Sequence, residues 1–320
     1  MKFEILISIL ATVLIAGCTI PDIGIPGIGT TTTIGGGRGL EITSFVAEPT
    51  PVYSGSKVRV TMEVENQGGT TIPKDKALVQ LMGSNMDLGS DDDRYWRSET
   101  DNEFKNFSRE MRTADVVKGT QADTTRHTWT LTAPNITAGQ TRTDTFYGRT
   151  YCDYSTAVNG NAWIYTEGEA DAAKASGRSI NKASFTTTKG PVGLNVKVSP
   201  DPVIYYDIGE SFSLYITVSN LATGTIYNAS KTYSISGFTI AAEEYNLVNI
   251  NVDYPTDKLT PTNFGECTGS QELPAGKSTT LVCDFTVSEA PTNFESYPIT
   301  VIASYGYYTE RTATVVVQGK

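Results

Sequence analysis

Histidine is almost missing from this chain: His127 is the single one in 320 residues. That scarcity removes the usual partner of a Ser or Cys nucleophile, and any His-built metal shell. Basic residues are in deficit, with 25 Lys and Arg against 35 Asp and Glu, a net charge of −10 and a pI near 4.7. Nucleic acid is thereby excluded as a partner, because its phosphates demand basic patches. No stretch reaches the roughly 20 apolar residues of a membrane-crossing helix. No Gly-x-Ser-x-Gly elbow and no phosphate-cradling glycine loop occurs. These absences predict a protein that is not an enzyme and carries no resident cofactor. They leave one catalytic arrangement open, a carboxylate pair of the glycosidase kind, whose members need not be neighbours in sequence.

What is present begins with residues 5–16, an apolar run interrupted only by Ser8 and Thr12 and preceded by Lys2 and Glu4. Its length is that of a signal-peptide core. It ends in Leu14-Ile15-Ala16-Gly17-Cys18, which resembles the lipobox of bacterial and archaeal lipoproteins. The resemblance implies that residues 1–17 are a removed signal peptide and that the Cys18 thiol carries a lipid. Anchors of that type bring two acyl chains, enough to hold a protein stably on a membrane. The residues themselves leave two alternatives: an ordinary secretory signal with Cys18 incidental, or a short uncleaved anchor. Pro21, Gly24, Pro26, Gly27 and Gly29 cannot continue a helix and speak against the second. Residues 18–38 are low in complexity and lack an apolar face, and so read as a lipid-anchored flexible tether.

With Cys18 assigned to lipid, Cys152, Cys267 and Cys283 remain. Cys283 lies on a strand-like alternation with Leu281, Phe285 and Val287, and Cys267 sits in a turn-like Gly265-Glu266-Cys267-Thr268-Gly269. A Cys267–Cys283 disulfide would close a loop of about 15 residues, worth roughly 3 kcal/mol. Export to an oxidising compartment permits it. Cys152 is then odd and is expected to be a buried thiol.

The chain also repeats itself. Gly39-Leu40-Glu41-Ile42 is answered by Gly193-Leu194-Asn195-Val196, and Pro49-Thr50-Pro51-Val52 by Pro200-Asp201-Pro202-Val203. Alternating Val58, Val60, Met62 and Val64 lead to Asn66, as Phe212, Leu214, Ile216 and Val218 lead to Asn220. A repeat kept through strand, turn, strand and turn implies two copies of one fold. Period-two alternation broken by Pro, Gly and Asn predicts β-sandwiches. On the Pro-x-Pro-Val motif and the strand ending in Asn66-Gln67-Gly68-Gly69, the chain resembles the tandem immunoglobulin-like domains of archaeal surface-layer-type proteins and bacterial cell-adhesion-related modules. The resemblance implies an all-β fold of two such sandwiches, at 39–189 and 192–318, and a surface role without catalytic residues. Lys189-Gly190-Pro191 is the expected break between separable units. Within the first copy, an insertion at about 83–125 places Phe104, Phe107, Met111 and Ala114 at helical spacing, with Thr100 and Glu103 as a capping box. One short amphipathic helix is expected there.

The remaining candidates are few. His127 alternates with Trp129 and Leu131 on one face of a strand, as a packed histidine would. Asp87, Asp91 and Asp93 belong to an acidic run that reads as a solvated loop or as a calcium site, although the spacing lacks the glycine of a calcium loop. Tyr205-Tyr206 and Tyr305-Gly306-Tyr307-Tyr308 suit either sandwich packing or stacking on sugars and protein partners. Sequons occur at Asn106, Asn135 and Asn228, and the helix expected over Asn106 makes the other two the better glycosylation sites. These features point to a non-catalytic, membrane-anchored cell-surface protein with a structural, adhesive or envelope-assembly role. The expected partners are the membrane, through the lipid, and envelope proteins or glycans. A carbohydrate- or peptide-binding accessory lipoprotein is the alternative, and an envelope hydrolase the third reading.

Overall fold

The computed structural model describes residues 37–320 apart from 99, 116 and 230. The expected signal peptide, Cys18 and most of the tether lie outside the described residues. The fold is all-β. In the first repeat β1 (Leu40–Glu48), β3 (Lys57–Asn66) and β6 (Thr124–Thr132) form one antiparallel sheet. Facing it lie β2 (Val52–Tyr53), β4 (Ala77–Gly83), β5 (Phe104–Asn106) and the long β7 (Thr141–Thr166). The second repeat follows the same plan. Here β9 (Val192–Ser199), β11 (Ser211–Asn220), β14 (Leu259–Pro261) and β16 (Ser278–Val287) make one sheet. Opposite stand β10 (Val203–Tyr205), β12 (Thr225–Tyr227), β13 (Leu247–Asp253), β15 (Gly269–Glu272) and the long β17 (Phe294–Gln318). Between the repeats run α1 (Glu167–Ser176) and β8 (Ser184–Thr187), which pairs with β7.

The alternation seen in sequence becomes the two cores. Val58, Val60, Met62 and Val64 point inward on β3, and Phe212, Leu214, Ile216 and Val218 do so on β11. The repeated asparagines do the same work twice. Asn66 Nδ2 donates to Thr70 O at 2.9 Å while its Oδ1 accepts from Gly68 N at 3.1 Å. Asn220 Nδ2 donates to Gly224 O at 3.2 Å and accepts from Ala222 N at 3.3 Å. Each fixes the turn leaving its strand, the local-turn chemistry for which Asn is suited. The Cys267–Cys283 disulfide is formed, with Cα atoms 5.4 Å apart, and ties a short helix, α2 (Phe264–Cys267), to β16. Cys152 is free and buried, as expected.

Two expectations need correction. The first is separability. β7 and β17 pair antiparallel over all 25 residues of β17, from Phe294 opposite Tyr165 to Gln318 opposite Thr141. At about 3.4 Å per residue this ladder is roughly 80 Å long. It serves both sandwiches by exchange. The first half of β7 pairs with β4 in the first repeat, and its second half runs on to pair parallel with β10 in the second, Ile164 opposite Val203. β17 does the reverse. It pairs with β13 in the second repeat and then crosses to lie parallel to β2, Val317 opposite Val52. An immunoglobulin-like sandwich normally closes with its own last strand; here each repeat is closed by the other's. Most buried apolar residues of both repeats accordingly belong to one continuous cluster. The boundary at 189–191 divides the sequence repeats and not the cores.

The second correction concerns the insertion. Phe104–Asn106 is a strand, not a helix, and pairs with the free edge of β4. Met111 makes a bridge with Ile72, and Asn66 Nδ2 holds Met111 O at 2.7 Å. Phe107 and Met111 are buried as the pattern required, whereas Ala114 is exposed, so the helical stripe fails at its last member. A helix of that length is marginal on its own, and an open sheet edge gains more from a strand. Trp96 is a fully buried anchor of the insertion, its Nε1 donating to Asp144 Oδ2 at 2.8 Å.

Candidate functional site

The strand exchange creates a seam about which the repeats are related by a pseudo-twofold. Tyr154 on β7 and Tyr307 on β17 occupy matching places there. Tyr154 OH accepts from Gly69 N at 2.7 Å and Thr70 N at 3.1 Å, and Tyr307 OH accepts from Gly224 N at 3.1 Å. Each ring therefore pins the Asn-fixed turn described above. Between them Tyr305 OH meets Thr156 Oγ1 at 2.9 Å and accepts from Val192 N at 3.1 Å. Its burial pushes the phenol far above its ordinary pKa. Burial likewise raises the Cys152 thiol, so this cysteine is inert as a nucleophile. Across the outer side of the seam, Tyr227 and Phe238 pack on Leu78 and Tyr151 of the first repeat. Tyr233 OH meets Tyr227 OH at 2.8 Å and donates to Asp153 Oδ1 at 2.7 Å. The seam is a closed lock of phenols. The adjacent runs of tyrosine in the sequence are mostly spent on it: Tyr305 and Tyr307 are buried, and Tyr308 stands beneath the Arg149 guanidinium at 5.1 Å.

The acidic run is not gathered into a site. Asp92 turns to Arg94, whose hydrogen bonds hold its carboxyl down to about 2. Asp93 Oδ2 accepts from Asn135 Nδ2 at 2.6 Å, and the Asp91 carbonyl accepts from Arg97 at 3.0 Å. Among the described residues no three His, Cys, Asp or Glu side chains converge as a metal shell requires. Of the sequons, Asn106 is exposed at the end of β5, the reverse of its expected place in a helix. Asn135 is exposed with its amide engaged by Asp93, and Asn228 is half-buried.

His127 is packed inside the first sandwich, 8% exposed, edge-on to Phe107 at 5.0 Å. Burial, reinforced by the Lys105 charge, lowers its pKa from 6.5 to about 4. A depressed histidine is neutral when folded and takes a proton on unfolding. Stability is therefore full above about pH 6.5 and declines as pH falls toward 4, by on the order of 3 kcal/mol. Thermal melts of His127→Gln should lose that part of the slope between these limits. An unchanged slope would place the titration elsewhere.

A surface groove of about 720 Å³ lies on the outer face of β1 and β3 and mixes Glu48, Lys57 and Arg59 with Thr61 and Thr130. A smaller one of about 270 Å³ at the seam is lined by Glu41, Arg149, Glu310 and Arg311. The Arg149–Glu310 pair, 2.5 Å apart, takes up two of the four charges of the second.

What sequence reasoning missed is the exchange and α1. The helix had a signal: Thr166 caps it, accepting from Glu169 N at 3.4 Å, an Ala-rich turn follows, and Gly177 ends it at φ 69°.

No protein-family model matches the chain, and no curated protein does either. Several solved structures are similar at a low level, the following two among them. Enterococcus faecalis MSCRAMM ACE, which binds its ligands by the collagen hug model, aligns over 87% of this chain and 95% of its own, at 10% identity and a TM-score of 0.15. The collagen-binding domain of the Erysipelothrix rhusiopathiae surface protein RspB aligns over 88% of this chain and 98% of its own, at 7% identity and a TM-score of 0.11. At such scores neither carries an argument about what this chain binds.

Proposed function

We propose that the chain is a non-catalytic surface protein, held to a membrane by lipid on Cys18, whose two repeats act as one elongated body in envelope structure, adhesion or assembly. The observation that carries this reading is the shared ladder of β7 and β17, because it turns two small sandwiches into a single stiff element. The resemblance of Leu14-Ile15-Ala16-Gly17-Cys18 to a lipobox supports the anchor. The Cys267–Cys283 disulfide supports an oxidising compartment outside the cytoplasm. The polar chemistry of the seam is structural, and phenols raised by burial offer neither a base nor a nucleophile near neutral pH. The role is one of display and load, with the paired long strands supplying rigidity.

The test is Cys18→Ser. A hydroxyl is a far poorer nucleophile than a thiolate, so lipid attachment should be lost and the protein should leave the membrane fraction. Mass spectrometry of the mature N-terminus of the unaltered protein should find residue 18 carrying acyl or ether chains. A mature N-terminus elsewhere, without lipid, would end the anchored reading.

A further inference from the structure

The three tryptophans follow one pattern twice and break it once. Trp96 and Trp129 are fully buried, and their indole N–H groups donate to Asp144 Oδ2 at 2.8 Å and Asn102 O at 2.9 Å. Trp163 differs. It stands on β7 between buried Ala162 and Ile164, so alternation turns its ring to the outer face of the second sandwich. It is only partly buried, and its N–H makes no hydrogen bond among the described residues. Phe294, 44% exposed, lies 6.0 Å from it, and Tyr165 stacks behind Phe294 at 5.3 Å.

The pseudo-twofold supplies an internal control. Ile164 beside β10 and Val317 beside β2 are matching positions. Their neighbours match as well, so Trp163 corresponds to Val316, and Phe294 to Thr141. The first sandwich closes by the same pairing without either ring. The fold therefore does not require an aromatic pair here.

Beside the rings lies an uncharged polar strip. Asn159 and Asn161 on β7, Thr300 on β17, and Asn249 and Asn251 on β13 all face outward, alternating with buried neighbours. Thr300 Oγ1 donates to Asn159 Oδ1 at 3.0 Å, which leaves the Asn159 amide N–H groups for another acceptor. Across this part of β7, β17 and β13 the one charged outward side chain is Asp253, in a chain whose net charge is −10.

We propose that this face binds an uncharged glycan chain, with a sugar ring stacked on Trp163 and Phe294 and its hydroxyls bonded to Asn159, Asn161 and Thr300. The match is chemical. A hydroxyl-rich ligand needs donors and acceptors side by side, which amides and hydroxyls supply together. An aromatic surface takes the C–H face of a sugar, and lack of charge selects a neutral polymer over an anionic one. A flat sheet face suits an extended chain, whereas a small molecule needs a concave pocket. A stable protein contact wants about 800 Å² per side around an apolar centre, and two rings beside a row of amides do not provide one. The two rings lie about 35–40 Å along β17 from Gly306 at the centre of the seam, and the polar strip fills the stretch between them and the seam. This binding goes beyond the anchored structural role, and a solution measurement does not depend on the lipid.

The experiment titrates the full soluble chain with neutral hexasaccharides of β-1,4-glucose, β-1,4-N-acetylglucosamine and α-mannose by calorimetry. At least one should bind, and Trp163→Ala should weaken it at least tenfold. Trp163→Tyr should keep most of the affinity, and circular dichroism should be unchanged in both, because the ring is outside the core. No binding of any hexasaccharide at millimolar concentration would overturn the proposal. So would equal affinity of Trp163→Ala, Phe294→Ala and the unaltered protein. Capture of an envelope protein by a photo-crosslinker at position 163, insensitive to added sugar, would assign the face to a protein partner and overturn it equally.

Discussion

Residues 39–189 and 192–320, expressed apart, will each fail to give a stable soluble monomer, while the intact chain unfolds in one transition. The first piece contains β7 but not the end of β17, so the strand that fits between β7 and β2 is missing. Its absence removes Tyr307, Val315 and Val317, all fully buried, and leaves β7 as an unpaired edge. The second piece lacks the end of β7, and with it Ala162, Ile164 and the partner of β10. Burying a Val, Ile or aromatic side chain is worth about 1.5–3 kcal/mol each, and a domain holds only about 5–15 kcal/mol in all. Losing a whole strand exceeds that margin. Exposed long edges then aggregate. Coexpression of the two pieces should restore a soluble complex, and a protease nick at 189–191 in the intact protein should leave the fragments together on gel filtration. Two pieces that each melt cooperatively as monomers would show that the exchanged strands are dispensable.

The second large effect is expected at a single atom. Gly306 sits at the centre of the seam, opposite Asp153. A Cβ there would lie 2.0 Å from Tyr227 Cε2 and 2.4 Å from its Cδ2. Tyr227 cannot swing aside. It is fully buried, its ring is packed against Tyr151 and Phe238, and its OH is held by Tyr233 and the Cys152 carbonyl. Overpacking of this kind costs about 3 kcal/mol, so Gly306→Ala should lower the melting temperature by roughly 6–12 °C. Gly168→Ala is the control, because nothing lies within 4 Å of the added carbon. It should be neutral or slightly stabilising. Equal melting temperatures for both variants would mean that the seam yields more readily than its packing suggests.

Much of the fold could be read in the sequence because its determinants are local. Alternation placed Val58 through Val64 and Phe212 through Val218 on buried faces, and the repeated asparagines marked the same turn twice. The disulfide followed from one cysteine in a strand and one in a turn. The exchange is not local. Asn159-Gly160 is the strongest short hairpin signal a sequence carries, yet it lies mid-strand in β7. Gly160 is there because Ser184 O and the Phe185 ring of β8 lie within 2.3 Å of where a Cβ would stand. Which strand closes the first sandwich depends on pairings as distant as Val317 with Val52 and with Arg142, and periodicity does not encode those. The helical reading of the insertion failed for a related reason. Phe107 and Met111 are both buried, but the edge of β4 decided the backbone that carries them. Trp163 escaped notice because a strand pattern reports which face a residue takes, and not whether that face is covered.

Reciprocal closure also sets an order of events during synthesis. The first repeat is made first, yet the strand that seals it is the end of β17, which emerges only after the second repeat. Until then β2 and β7 present unpaired backbone to whatever is nearby, the state in which chains of this kind misassemble. The first repeat must therefore wait, kept apart from its neighbours, for the second to be made. A truncation of a few residues at the C-terminus would leave the damage at the opposite end of the sequence, in the repeat that was synthesised first.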